Sequence, residues 1–215
     1  TATTTTDSSK AADSNIASAP AQPEFIPFEV LEITHIVADY AKWKPFFDAD
    51  GVNRKANGLE DLAVGRNVDN PQNILVALKV NSAEVAKAFT SDPKLKETME
   101  KAGVVSRPSF ELFKVIRYNP ASKEKQWVII THKVKDFDAW VKVFDQEGPA
   151  QRAGEGMVDV ALARGVDDPN NVHIVLDITD MAKAKAALFS ESKKQLMMSA
   201  GIEGKPKIEF YTSAE

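Results

Sequence analysis

The sequence contains no cysteine, which excludes disulfides, thiolate metal centres and cysteine nucleophiles together. Histidine is scarce, with only His35, His132 and His173. None is spaced from another as zinc ligands are, so no metal site is expected. No apolar run approaches the roughly 20 residues of a membrane-spanning helix, so no transmembrane segment is expected. The net charge of -4 leaves no basic footprint, so nucleic acid is not an expected partner. Phosphate-cradling loops, G-x-S-x-G elbows and dinucleotide fingerprints are also missing, and no cofactor is expected.

What remains is ordinary for a globular chain: 215 residues, 43% hydrophobic and 27% charged. That length suits one large domain or two small ones. Residues 1–24 are Thr-, Ser- and Ala-rich without hydrophobic periodicity, so they read as a disordered tether. The chain begins at Thr1 without an initiator Met. Trimming at the front accounts for this, and so does a cleaved export signal that leaves a stalk. Localisation is therefore open between an exported state, periplasmic or lipid-tethered, and a cytoplasmic one.

Beyond the tether the chain repeats itself. ITHIVADYAKWKPFFDADG from Ile33 aligns with ITHKVKDFDAWVKVFDQEG from Ile130. After a slip of one residue, RKANGLEDLAVGRNVDNPQN from Arg54 aligns with RAGEGMVDVALARGVDDPNN from Arg152. AKAFTSDPKLKETMEKAG and AKAALFSESKKQLMMSAG continue the match, and Pro108 and Glu111 pair with Pro206 and Glu209. The expected organisation is a first repeat over 25–116, a polar linker over 117–124 and a second repeat over 125–215.

Each copy reads as β-α-β-β-α-β. FEVLEITHIV alternates as a strand. Asp39 and Asp136 are natural N-caps for helices carrying Tyr40, Trp43 and Phe47, or Phe137, Trp140 and Phe144, at helical spacing. Pro45 predicts a kink or early fraying in the first helix. D-N-P-Q-N and D-D-P-N-N predict tight hairpin turns. The Gly of K-A-G or S-A-G predicts a helix C-cap. Right-handed crossovers place the third strand between parallel first and second strands. Helices then cover one sheet face, and two copies can bury their bare faces against each other.

The fold class expected is thus α+β, two tandem ferredoxin-like repeats packed sheet to sheet. This doubled pattern resembles the dimeric α/β-barrel superfamily, which includes antibiotic-biosynthesis-type monooxygenases and muconolactone isomerase-like proteins. The resemblance covers residues 26–212 and implies an intramolecular barrel made by one fused chain. It names no reaction by itself.

Candidate site residues are polar groups repeated on apolar faces. His35 and His132 alternate with apolar neighbours and are the candidate acid–base residues. Arg66 and Arg164 are candidate anion ligands, with Trp43 and Trp140 to stack on a planar ligand and Asp39 and Asp136 beside them. The competing structural account makes the aspartates caps and the tryptophans core. It pairs Arg66 with Asp69 and His35 with a backbone carbonyl. His173 has no counterpart, since Leu75 stands there, and faces the barrel interior with Val175 and Asp177. Three functions follow as expectations. One is a module binding a planar or anionic small organic ligand. Another is a cofactor-independent monooxygenase or isomerase. The third is an envelope-tethered interaction protein. A homo-oligomer of the fused barrel is the expectation for assembly.

Overall fold

The computed structural model describes residues 25–120 and 124–214. The expected tether over 1–24 and part of the expected linker lie outside them. The first repeat runs β1 (Phe28–Ile36), α1 (Tyr40–Ala49), α2 (Gly51–Ala56), β2 (Leu59–Asn67), β3 (Asn73–Val80), α3 (Ala83–Ser91), α4 (Pro93–Lys101) and β4 (Ser109–Tyr118). The second runs β5 (Gln126–Val134), α5 (Phe137–Gly154), β6 (Met157–Gly165), β7 (Asn171–Ile178), α6 (Met181–Leu188), α7 (Glu191–Ser199) and β8 (Ile202–Ser213).

Local chemistry explains the boundaries. The Asp39 carboxylate accepts from the Ala41 and Lys42 amides, and that of Asp136 from Ala139, so each satisfies orphan donors of a helix start. In the first hairpin the Asn67 side chain accepts from the amides of Asp69 and Asn70, which folds the turn. Gly103 and Gly201 end α4 and α7 with φ of 86° and 82°, a conformation glycine adopts without a Cβ penalty. Two boundaries differ from the sequence expectation. Helix α1 runs through Pro45 to Ala49, and the break falls at Asp50–Gly51. The corresponding break in α5 is at Gly148, where φ is 76°. Strand β8 begins at Ile202, ahead of the KIEFYTS run that reads as the closing strand, because Ile202 pairs with Val134 beyond an irregularity in the β5–β8 ladder.

Every strand pairing is antiparallel, in the orders β4-β1-β3-β2 and β8-β5-β7-β6. The copies join edge to edge, β2 to β8 and β4 to β6, and the eight strands close into a barrel without free edges. The strands at the middle of each repeat, β1, β3, β5 and β7, are mostly buried, whereas β2, β4 and β8 keep several exposed positions. One apolar cluster in each copy, around Trp43 or Trp140, lies between the sheet and its helices. Two smaller clusters, around Phe113 and around Trp127 with Tyr211, fill parts of the interior.

Candidate functional site

The outer face brings together the residues repeated in both copies. His35 and Arg66 both pair with Ile74, from opposite sides, and so lie in one row across β1, β3 and β2. His132 and Arg164 flank Val172 in the same way. Alternation puts these side chains on one face, the crossover rule sets β3 between β1 and β2, and the observed register completes the rows. Both histidines are buried under the helices, 5.5 and 5.4 Å from Trp43 and Trp140. Among the described residues, no ring nitrogen of either has a hydrogen-bond partner. Burial pushes both pKa values down to about 4, because desolvation penalises the imidazolium.

The other repeated residues have visible local roles. Trp43 stacks on Phe47 and Trp140 on Phe144, at 5.0 and 5.2 Å. Arg66 Nε donates to the Pro71 carbonyl at 2.9 Å, and its guanidinium lies over Tyr40 at 4.4 Å. Arg164 does the same with Pro169 and Phe137. The expected Arg66–Asp69 pairing is thus replaced by a turn carbonyl. The arginines truly buried are Arg54 and Arg152, which lie at the other end of the first helical segment of each copy. Each forks onto one carboxylate, Asp61 or Asp159, with bonds of 2.6–2.8 Å, and donates to the Phe47 or Phe144 carbonyl. In the second copy Glu147 joins Arg152 and also meets Lys193, where the first copy has Leu95. The spaces beneath the helices next to His35 and His132 measure about 50 and 60 Å³.

The barrel interior is different in scale. A cavity of about 340 Å³ opens between the copies, near Tyr118 and Asn119 at the end of β4. Its walls hold four aromatic side chains, Phe28, Phe113, Tyr118 and Trp127, with small residues such as Ala77, Ala161 and Ala163 leaving the room. An eight-stranded barrel is just wide enough to be filled by side chains or to hold one small ligand. Polar groups converge on it. His173 lies with Nδ1 3.0 Å from Thr131 Oγ1, under the ring of Phe113 at 4.1 Å. Its Nε2 is 2.9 Å from Glu32 Oε1 but outside hydrogen-bond alignment. Asp177, two periods of the alternation further along β7, is also buried and lines the same space. Repetition between the copies does not single out Glu32 or Asp177, and His173 has no counterpart in the first copy. The available signal was that each replaces a different residue in the other copy: Ile129 for Glu32, Leu75 for His173 and Lys79 for Asp177.

No protein-family model matches the chain, and no curated protein matches it. Solved structures do. An anthrone oxidase-like protein aligns with a TM-score of 0.56 and 14% identity, over 87% of this chain and 92% of that one. A ferredoxin fold protein from Listeria monocytogenes, related to antibiotic biosynthesis monooxygenases, aligns at 0.53 and 10%, over 89% and 97%. A heme-binding protein from Thermus thermophilus aligns at 0.54 and 9%, over 88% and 92%. The chain has the dimeric α/β-barrel fold. At such identities the likeness concerns architecture, and it spans both repeats.

Within this dimeric α/β barrel, the histidines beneath the helices do not offer room for a macrocycle such as the Thermus protein's ligand. Spaces of about 50 and 60 Å³ are several-fold too small for a porphyrin. The interior cavity of the barrel is in the size range of small-molecule sites, which run from about 300 Å³ upward.

Proposed function

We propose that this protein binds a small organic molecule inside its barrel, between the two repeats. The observation that carries the reading is the interior cavity of about 340 Å³, mostly apolar and aromatic, with a few convergent polar groups. That combination is what small-molecule sites present. Ligand-detected NMR with a set of fluorinated aromatic fragments tests it. Fragments are expected to bind the native chain and to lose binding in Ala161→Phe, which places a ring in the cavity. Equal binding by an Ala161→Phe protein with an unchanged circular dichroism spectrum would refute the reading.

A second reading is a cofactor-independent monooxygenase or isomerase, as expected from the monooxygenase-like neighbours. One observation favours it: His35 and His132 keep both ring nitrogens free in dry, aromatic surroundings. A neutral imidazole there is available to take a proton from a substrate that reaches it. Oxygen uptake with an anthrone-type substrate is the assay. If it is unchanged in a His35→Asn/His132→Asn double variant, this reading fails.

A further inference from the structure

We propose that Glu32 and His173 form an acid–base pair that moves a proton on a ligand in the interior cavity, and that this ligand is an aryl ketone with an acidic C–H beside its carbonyl. The inference rests on the reading that the cavity is the binding site. Each copy supplies one member, Glu32 from β1 and His173 from β7, and both line the cavity. His173 Nε2 and Glu32 Oε1 are 2.9 Å apart. Two bare acceptors at that distance would repel, so the pair shares a proton. The contact is out of line, and a misaligned hydrogen bond is weak, so that proton stays transferable. On the other side of the ring, Thr131 Oγ1 lies 3.0 Å from Nδ1. A hydroxyl both donates and accepts, so Thr131 can follow the imidazole through either protonation state.

The fold does not need a polar pair at this place. Thr131 faces His173 in the β5–β7 ladder, and Thr34 faces Leu75 at the same point of β1–β3. The counterpart of Glu32 is Ile129. The mirror image of the Glu32–His173 pair is thus Leu75 with Ile129, and these two sit in one apolar cluster. An apolar pair fills such a place as stably as a buried charged one, and often more so. What the apolar pair cannot do is take up and return a proton.

The walls restrict the substrate. Phe28, Phe113, Tyr118 and Trp127 favour an aromatic body. Among the described residues no lysine or arginine lines the cavity, so a developing negative charge has to be spread by the ligand itself. An enolate conjugated with an aryl ring does this. Glu32 takes the proton from the carbon beside the carbonyl, and the C–H electron pair moves into a new C=C bond and onto the carbonyl oxygen. The negative charge passes from carboxylate to ligand, so no charge is added to a dry site. Return of a proton from Glu32 to the same carbon, or to one conjugated with it, restores the carboxylate. Glu32 is the catalytic base in this step. His173 and Thr131 are positioning residues, which hold the carboxylate and the shared proton.

The test follows exchange of the benzylic protons of β-tetralone in heavy water by NMR, with binding of the same ketone read by ligand-detected NMR. The native chain is expected to bind the ketone and to exchange it about a hundredfold or more faster than a Glu32→Gln variant that retains its circular dichroism spectrum. Glu32→Gln should still bind it. His173→Leu, which copies Leu75, should lower the rate at saturating ketone and leave the half-saturating concentration unchanged. The mirror variant Glu32→Ile/His173→Leu should unfold in urea at or above the native midpoint and show no exchange above buffer. A midpoint well below the native one would overturn the inference by making the pair a packing requirement. If fluorinated fragments bind but the ketone does not, or if it binds and exchanges no faster than in buffer or equally fast in Glu32→Gln, the inference is overturned and the cavity reading stands. If neither fragments nor ketone bind, both fall. The comparison of native chain with buffer needs no variant, so a poorly folded variant leaves the inference falsifiable.

Discussion

His35 and His132 make stability depend on pH in a way that two substitutions can isolate. Both imidazoles are buried, unpaired and held near a pKa of about 4, against 6.5 for an ordinary histidine. Between those values the unfolded chain binds protons that the fold refuses. Stability therefore rises with pH across this window and is lost as pH falls from 6.5 toward 4. Each histidine is expected to cost roughly 2 kcal/mol on going from pH 7 to pH 5, and the pair roughly 4 kcal/mol. For a domain whose total stability is about 5–15 kcal/mol, that is a large fraction. The perturbation is His35→Leu/His132→Leu. Leucine fills much of the same space beside Trp43 or Trp140 and removes the four unpartnered nitrogens, so stability at pH 7 should be unchanged or higher. Urea unfolding at pH 7, 6 and 5, followed by circular dichroism, gives the two curves. Carboxylate titrations affect both proteins alike and cancel in the difference. The wild type should fall below the variant by roughly 4 kcal/mol more at pH 5 than at pH 7. Parallel pH dependence would refute the claim that these imidazoles are kept neutral by burial.

Three further outcomes follow from the packing. Arg152→Met should destabilise by about 3 kcal/mol, since it leaves Asp159 without its fork and Glu147 with Lys193 alone. Arg54→Met should cost less in the same denaturation assay, because Asp61 is 41% exposed and can be rehydrated. Gly65→Ala puts a Cβ 2.5 Å from Trp127 Cζ2. It should lower stability by about 1–3 kcal/mol and shift the Trp127 emission, read in a background where Trp43 and Trp140 serve as unchanged references. Asp39→Ala and Asp136→Ala should each cost about 1 kcal/mol by thermal denaturation, as lost N-caps do, and should leave cavity ligand binding unchanged.

The architecture was legible because each of its rules acts locally or by symmetry. Alternation in ITHIV and ITHKV sets which side chains share a face, and the crossover rule then sets strand order. Together these place His35 and Arg66 in one row, as the structure has them. The partners of charged groups were less legible. Arg66 bonds the Pro71 carbonyl, and a backbone acceptor leaves no mark in a sequence. Arg54 reaches Asp61 only because the helix breaks at Gly51 and the β2 register shifts between Asp61 and Ala63. The cavity was least legible of all. An empty volume is a difference between the size of a barrel and the summed bulk of its inner residues, and no single residue signals it. Ala77, Ala161 and Ala163 are unremarkable one at a time and leave space only when the strands that carry them face one another.

Duplication makes repetition an ambiguous witness. A residue kept in both copies satisfies a requirement that both copies share, and a folding requirement is always shared. Asp39 and Asp136 cap helices, Trp43 and Trp140 fill cores, and Arg54 and Arg152 fork onto a strand carboxylate, each twice. A cavity on the pseudo-twofold axis imposes the opposite pattern. It exists once and is lined by both copies, so an asymmetric molecule placed in it would meet different chemistry from each. Equivalent lining positions do differ between the copies, Glu32 from Ile129, His173 from Leu75 and Asp177 from Lys79. In two separate identical chains, any change that placed Glu32 in the interior would place it there twice and double the buried charge. Fusion removes that constraint. The single chain is thus what permits one carboxylate–imidazole pair, in place of two, to be built at the centre of the barrel.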